Sequence, residues 1–175
     1  MAEIVYYAAC SLDGYIATED GGVAWLNPYN SSEFGYEQFY ASLDALVMGS
    51  YTYEISLAHG EWPSPDKSSW VFTKRDLRVA DPSITLTQDR PSEVMAEIES
   101  RGHERVWLMG GGKLASSFRE LGLISEYQIW MIPIILGGGI TLFAGGGGVD
   151  DLRLVETKSF SNGVVMLRYR EAAES

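Results

Sequence analysis

The run Val106-Trp107-Leu108-Met109-Gly110-Gly111-Gly112-Lys113-Leu114 sets three glycines between an apolar strand and the start of a helix. Glycine there lets backbone N–H groups approach an anion closely, and the unpaired donors and dipole of a helix N-terminus favour phosphate at the same point. Physically the pattern is a pyrophosphate cradle, with a tight strand-to-helix turn as the plain alternative. It is not a P-loop, because Trp107 stands where the first glycine is required and Leu114 holds the Ser/Thr position. Nor is it G-x-G-x-x-G, since Ala115 replaces the third glycine. Two other strand ends carry related donors. In Met48-Gly49-Ser50-Tyr51-Thr52, either Ser50 or Thr52 can cap a helix or meet a phosphate. Phe72-Thr73-Lys74-Arg75 sets a hydroxyl beside two cations, suited to a phosphate monoester or to an ordinary solvated loop. Three such strand ends favour an extended, multi-phosphate ligand at the carboxyl ends of an open α/β sheet.

A loop of different character follows the first apolar strand, Ile4 to Ala9. It reads Ser11-Leu12-Asp13-Gly14-Tyr15-Ile16-Ala17-Thr18, with Gly22 and Trp25 beyond. Asp13 is a candidate for a substrate or catalytic contact, and stabilising its own turn is the competing role. Glu33 falls three residues after Asn30, so with Asn30 as N-cap it would complete a capping box. Cys10, the only cysteine, reads as a small buried hydrophobe and fits a reducing compartment. His59 and His103 lack ligand spacing, so no metal site is expected.

These residues need elements to hold them, and the chain alternates between strand and helix patterns. Tyr36, Phe39, Tyr40 and Leu43 recur at helical spacing. Ala45 to Met48 is a short apolar strand, with a second helix from Thr52. Trp70 to Phe72 and Ile84 to Leu86 read as strands, Glu93 to Arg101 as a helix, Val106 to Met109 as a buried strand, and Leu114, Phe118 and Leu121 as a helix face. A strand from Tyr127 to Leu136 follows. Leu152 to Phe160 and Val164 to Tyr169 flank Ser161-Asn162-Gly163, a hairpin signal that closes a mostly parallel sheet with an antiparallel pair.

Composition narrows the class. The 175 residues, 46% of them hydrophobic, suit one sizeable core, so a single domain over 1–175 is expected. A net charge of −11 with 13 scattered Lys and Arg argues against nucleic acid. Tyr127 to Val149 holds no charged residue, yet Pro133, Gly137 to Gly139 and Gly145 to Gly148 break any continuous helix, so no membrane span is expected. The N-terminus lacks a signal-peptide pattern, and a cytoplasmic protein is expected. The apolar run Ile129 to Ile135 is hard to bury in a small domain, so a homodimer is expected.

Taken in order, Ser11 to Ala17 with Trp25, Asp44 to Gly49 leading to Thr52, the Gly110 to Gly112 turn, and Pro133 to Gly139 ending in Leu142-Phe143 resemble the dihydrofolate reductase superfold. More closely, they resemble the reductase domain of the bifunctional riboflavin-biosynthesis deaminase-reductase and its stand-alone relatives, over nearly the whole chain. The resemblance implies an NADPH-dependent reductase, with NADH less favoured, acting on a small pteridine- or pyrimidine-like heterocycle. It implies that Gly110, Gly111, Gly112, Lys113 and Leu114 cradle the pyrophosphate. Gly49, Ser50, Tyr51 and Thr52, with Thr73, Lys74 and Arg75, would grip the adenosine side, while Ala9, Ile16 and Ala17 line the nicotinamide. Glu33 precedes Gly49 by the spacing of the pterin-binding carboxylate in dihydrofolate reductases, and with Asp13 it is the candidate proton donor. Tyr7, Tyr15, Trp25, Phe34 and Tyr53 would wall the substrate or serve as ordinary packing. Two departures stand out. Ser50 occupies a position where relatives carry Arg or Lys for the ribose 2′-phosphate, throwing that burden onto Lys74 and Arg75. Ala58 to Pro63 replaces the Asp-Asn-Pro segment of the riboflavin reductases, so a stand-alone reductase is preferred to 5-amino-6-(5-phosphoribosylamino)uracil reduction. A nucleotide-binding protein without turnover is a further alternative, as is a purely structural role for the glycine turns.

Overall fold

The computed structural model describes residues 1–172. In chain order the elements are β1 (Glu3–Ser11), β2 (Tyr15–Ala17), α1 (Tyr36–Ala41), β3 (Ala45–Gly49), α2 (Ser50–Leu57), β4 (Ser68–Phe72), β5 (Ile84–Thr87), α3 (Pro91–Ser100), β6 (Arg105–Gly110), α4 (Gly112–Glu120), β7 (Glu126–Ile132), β8 (Ile140–Thr141), β9 (Leu152–Ser159) and β10 (Val165–Glu171). Short 3-10 turns over Ala24–Tyr29 and Ser32–Phe34 precede α1.

Eight strands form one sheet in the order β5-β4-β3-β6-β1-β7-β10-β9. The first six in that order run parallel, and β10 joins antiparallel to both β7 and β9. This is a mostly parallel sheet with a C-terminal antiparallel hairpin. Parallel strands must be covered on both faces, which explains the continuous apolar runs of β1, β3 and β6. On one face Ile4, Tyr6, Val47, Trp70 and Leu108 pack with Val94, Met95 and Ile98 of α3 and with Ala115 and Phe118 of α4. On the other, Val5, Leu46, Met48 and Val71 pack with Phe39 of α1 and Tyr53 of α2.

Several expected boundaries shift for physical reasons. α1 stops at Ala41, and the Ser42 N–H reaches back to Gln38 and Phe39 carbonyls, so Leu43 packs from the following turn. β7 ends at Ile132, not Leu136, because Pro133 has no N–H for the ladder and the chain turns there, with Ile134 N–H donating to Ile132 O at 2.7 Å. The apolar run expected at a subunit contact is therefore spent in the chain's own sheet as far as Ile132, leaving Ile135 exposed. A two-stranded antiparallel sheet, β2 with β8, had no signal in the sequence. It fastens the loop after β1 to the glycine-rich segment before β9.

The strand ends opposite the helix-bearing turns carry charge. Glu126 at the start of β7 is fully buried and meets Arg170 of β10, with Arg170 Nε donating to Oε2 at 3.0 Å. Glu3 at the start of β1 takes Arg105 at 2.6 Å and Arg170 at 2.7 Å, so four charged side chains tie β6, β1, β7 and β10 together. Among the described residues no helix is long and apolar enough to cross a membrane, and no group of three or more His, Cys, Asp or Glu is placed to hold a metal.

Candidate functional site

Both β3 and β6 end in glycine turns that lead directly into helices, and because the strands are neighbours these turns meet. A Cβ built on Gly49 would lie 3.7 Å from Gly110 O and from Gly111 N. Gly110 has φ +107°, a conformation that side chains resist, and the Gly110–Gly111 peptide is cis. Gly112 opens α4 against β8 so closely that a Cβ would stand 2.2 Å from Thr141 O. Neither Gly49 before α2 nor Gly111 before α4 closes its helix with a side-chain cap. The first-turn N–H groups of both helices thus lack intrahelical partners and face the same space.

That space is a cleft of about 800 Å³ at the carboxyl ends of β1, β3, β4 and β6. Ala9, Ile16, Ala17, Gly49, Ser50, Tyr51, Thr52, Gly111, Gly112, Lys113 and Leu114, all expected at a cofactor, line it. Tyr7, Ala8, Val23, Leu26, Ile55, Ser56, Phe72, Trp107, Met109, Ser117 and Ile140 complete the wall. Lys113 is the one cation of this wall. Gly110, Thr73, Lys74 and Arg75, also expected at a cofactor, are not among the lining residues, the last three following Phe72 in sequence. Arg75 is held in an exposed two-point pair with Glu54, at 3.1 and 2.6 Å, while Thr73 Oγ1 accepts the Arg75 N–H at 3.0 Å.

A second cavity of about 580 Å³ shares Tyr7, Ala9 and Leu26 with the cleft and opens beside it. Tyr29, Asn30, Ser31, Ser32, Phe34, Tyr36, Glu37, Gln38, Trp130 and Ile132 form the rest of its wall. Tyr7 stacks on Phe39 with centroids 4.1 Å apart and meets the edge of Trp107 at 5.6 Å. Burial, with Tyr36 alongside, pushes its phenol well above the ordinary range, so Tyr7 is a hydrogen-bond donor at neutral pH where the two cavities join.

The remaining predicted site residues sit elsewhere. Asp13 lines neither cavity. Its carboxylate accepts Ser11 Oγ at 2.6 Å, Gly137 N–H at 2.8 Å and Leu136 N–H at 3.1 Å, contacts that hold it below the usual carboxylate range and lock the turn onto the segment after Pro133. Glu33 faces a third, smaller cavity of about 260 Å³ with Glu156, Lys158 and Arg168. Its capping box does not form, because Ser31, not Asn30, caps this turn by accepting Glu33 N–H at 3.2 Å. Neither carboxylate expected to act in catalysis reaches the joined cavities. Tyr53 is core: only 1% exposed, it donates to Arg78 O at 2.8 Å and accepts Ala80 N–H at 3.0 Å. Tyr15 belongs to β2 and Trp25 packs beside the Trp130 cluster; neither lines a cavity, whereas Phe34 does, against Trp130. Cys10 is buried, and burial pushes its thiol up to about 11, as expected for an inert hydrophobe.

The wall residues that sequence reasoning missed had partial signals. Ile55 and Ser56 share a face of α2 with the expected Thr52, and Ser117 a face of α4 with the expected Lys113 and Leu114, so helical spacing from those residues points to them. Trp107 and Trp130 carried no such mark, being strand residues indistinguishable from core.

The sheet order and hairpin, with a cleft across the glycine turns, define a dihydrofolate reductase-like fold of the riboflavin-reductase type. The family model described as the RibD C-terminal domain matches residues 2–166, and the chain belongs to that family. It is similar to the uncharacterized protein YwjB of Bacillus subtilis, 34% identical over 96% of this chain and 97% of that protein. A solved structure of a putative riboflavin biosynthesis protein from Shewanella sp. PV-4 superposes with a TM-score of 0.87 at 27% identity, covering 99% of this chain and 100% of that one. The diaminohydroxyphosphoribosylaminopyrimidine deaminase/5-amino-6-(5-phosphoribosylamino)uracil reductase of Thermotoga maritima shares the fold, at TM-score 0.75 and 17% identity. The alignment covers 98% of this chain but 57% of the Thermotoga chain.

Proposed function

We propose that this protein is a nicotinamide-dependent reductase of a small heterocycle, using NADPH in preference to NADH. The observation that carries this reading is the convergence of two helix N-termini, each without a side-chain cap, on one largely apolar cleft. Such paired donors suit the two phosphates of a dinucleotide. Ala8, Ala9 and Ala17 keep the far end of the cleft free of bulk, leaving room for a flat ring beside the second cavity. The bound cofactor would supply a hydride; the chain's own work is to orient both partners, exclude water with the Tyr7, Phe34 and Trp130 aromatics, and hold a donor proton at Tyr7 Oη. The family assignment supports the same reading.

The 2′-phosphate end is where this chain is particular. Arg75 must exchange Glu54 for the phosphate, and Ser50 and Thr52 offer hydroxyls in place of a cation. The test is titration with NADPH and then NADH, followed by quenching of the tryptophans. Micromolar NADPH binding that falls about tenfold or more in Lys74→Gln/Arg75→Gln, with NADH little changed, is the expected result. No binding of either nucleotide at millimolar concentration would end the reading. NADPH binding without oxidation across a panel of pterins and pyrimidines would favour a binding protein without turnover.

A further inference from the structure

Gly49 and Phe72 are partners in the parallel register of β3 and β4, so the chain after Phe72 leaves the sheet beside Ser50, the first residue of α2. Both Ser50 and Phe72 line the large cleft. Glu54 stands four residues after Ser50, on the same face of α2 and about 5.4 Å further along its axis. From there its carboxylate accepts two hydrogen bonds from Arg75, at 3.1 Å from Nη1 and 2.6 Å from Nη2. The pair is open to water, with side chains 55% and 42% exposed, so it adds little to the stability of the fold and is free to break. Thr73 Oγ1, by accepting the Arg75 N–H at 3.0 Å, fixes the turn from which the arginine projects. Lys74 and Asp76 flank Arg75, and both are exposed. The two cations beside Ser50 are thus offset by Glu54 and Asp76, and an arriving anion meets no net charge there.

We infer that Glu54 is a positioning residue that sets the nucleotide preference: it competes with the ribose 2′-phosphate for Arg75 and so limits the advantage of NADPH over NADH. This rests on the nicotinamide-reductase reading, with the 2′-phosphate placed at Arg75. A guanidinium fork that faces one carboxylate through two N–H groups cannot present the same edge to a second anion, so the pair must open before the phosphate can take both. NADH, with a hydroxyl at that position, makes no such demand. Exchanging one exposed ion pair for another leaves the 2′-phosphate with a smaller gain than an unpaired arginine would give it. That gain also depends little on salt, because the Arg75–Glu54 unit is neutral before the phosphate arrives.

The experiment is calorimetry on the whole protein with NADP+ and with NAD+, at low and at high salt, for the parent, Glu54→Gln, Arg75→Gln and the double variant. Neither side chain is buried, so all four proteins keep the same core. In Glu54→Gln, NADP+ should bind about two- to fivefold more tightly at low salt, the worth of one exposed ion pair, with NAD+ unchanged. The improvement should shrink at high salt. In Glu54→Gln/Arg75→Gln the ratio of the two affinities should equal that of Arg75→Gln alone, a result that only an effect exerted through Arg75 produces. A Glu54→Gln protein whose NADP+ to NAD+ ratio is unchanged or lower would overturn the inference. So would a gain that survives the loss of Arg75, or one that NAD+ shares equally. A parent that binds neither nucleotide would end the reductase reading and the inference together, whereas an unaltered ratio with both nucleotides bound would end the inference alone.

Discussion

Replacing Gly112 with alanine tests the link between packing and the phosphate cradle. The added methyl would stand 2.2 Å from Thr141 O and 3.4 Å from Leu142 O. Carbon-to-oxygen contacts settle near about 3.3 Å, so α4 and β8 must part by about 1 Å. Overpacking of this kind costs about 1–3 kcal/mol, which in a chain of this size lowers Tm by about 2–12 °C. The same displacement moves the α4 N–H donors off the pyrophosphate, and losing one charge-assisted hydrogen bond weakens NADPH binding about ten- to a hundredfold. Gly111→Ala is the partner experiment. Nothing lies within 4 Å of its Cβ position and its φ is −77°, so its Tm should stay within about 2 °C of the parent. The methyl would nevertheless stand in the cleft and block the approach of a phosphate. Differential scanning fluorimetry and NADPH titration of both variants separate the effects. A Gly112→Ala protein with parental Tm and parental Kd would refute the close-approach argument, and a Gly111→Ala protein that binds NADPH normally would refute the cradle.

Three other outcomes are expected. Tyr53→Phe removes two part-buried hydrogen bonds, to the Arg78 carbonyl and from the Ala80 N–H, costing about 1 kcal/mol by denaturant melts while leaving the NADPH Kd unchanged. A changed Kd would restore Tyr53 to the site. Asp13→Asn loosens the segment after Pro133, read as faster proteolysis around Gly137 to Gly139. Because the Asp13 carboxyl is held below its ordinary 3.8, its stabilisation is complete above that value and fades as pH falls through the folded one, so the parent should show the same loosening only below about pH 4. Cys10 titrates at about 11 in the folded protein against an ordinary 9.0, so its contribution is full below pH 9 and is lost between pH 9 and 11. That amounts to about 3 kcal/mol. Cys10→Ala should flatten the stability profile over that range, and an unchanged slope would contradict the assignment.

The fold was legible because its strands announce themselves. β1, β3 and β6 are apolar on both faces, and each stops at a polar or glycine turn, as parallel strands covered by helices must. The glycine turns were legible for the same reason, since only a close approach or a positive φ calls for glycine at a strand end. Side-chain direction was not legible. Tyr51 and Tyr53 lie two residues apart on α2, yet one lines the cleft and the other is core, and no local pattern separates them. Asp13 in its turn looked like chemistry because its true partners, Leu136 and Gly137, are more than a hundred residues away. The β2–β8 pairing is equally non-local, and only the assembled sheet brings Tyr15 beside Thr141.

The four charges that bind β6, β1, β7 and β10 at the far end of the sheet have a consequence for anyone mutating this chain at random. Glu126 is the buried member, and stranding its charge by removing a partner costs up to about 3–5 kcal/mol, whereas the part-exposed Glu3, Arg105 and Arg170 are screened by solvent and their pairs with one another contribute less. Substitutions that leave Glu126 unpaired, at Arg170 above all, will therefore deplete folded protein, and a selection that scores only turnover will rank them beside the cleft residues. Normalising turnover to soluble protein would sort the two groups, and the loops at the cleft end would emerge as the part of the molecule free to acquire new substrates.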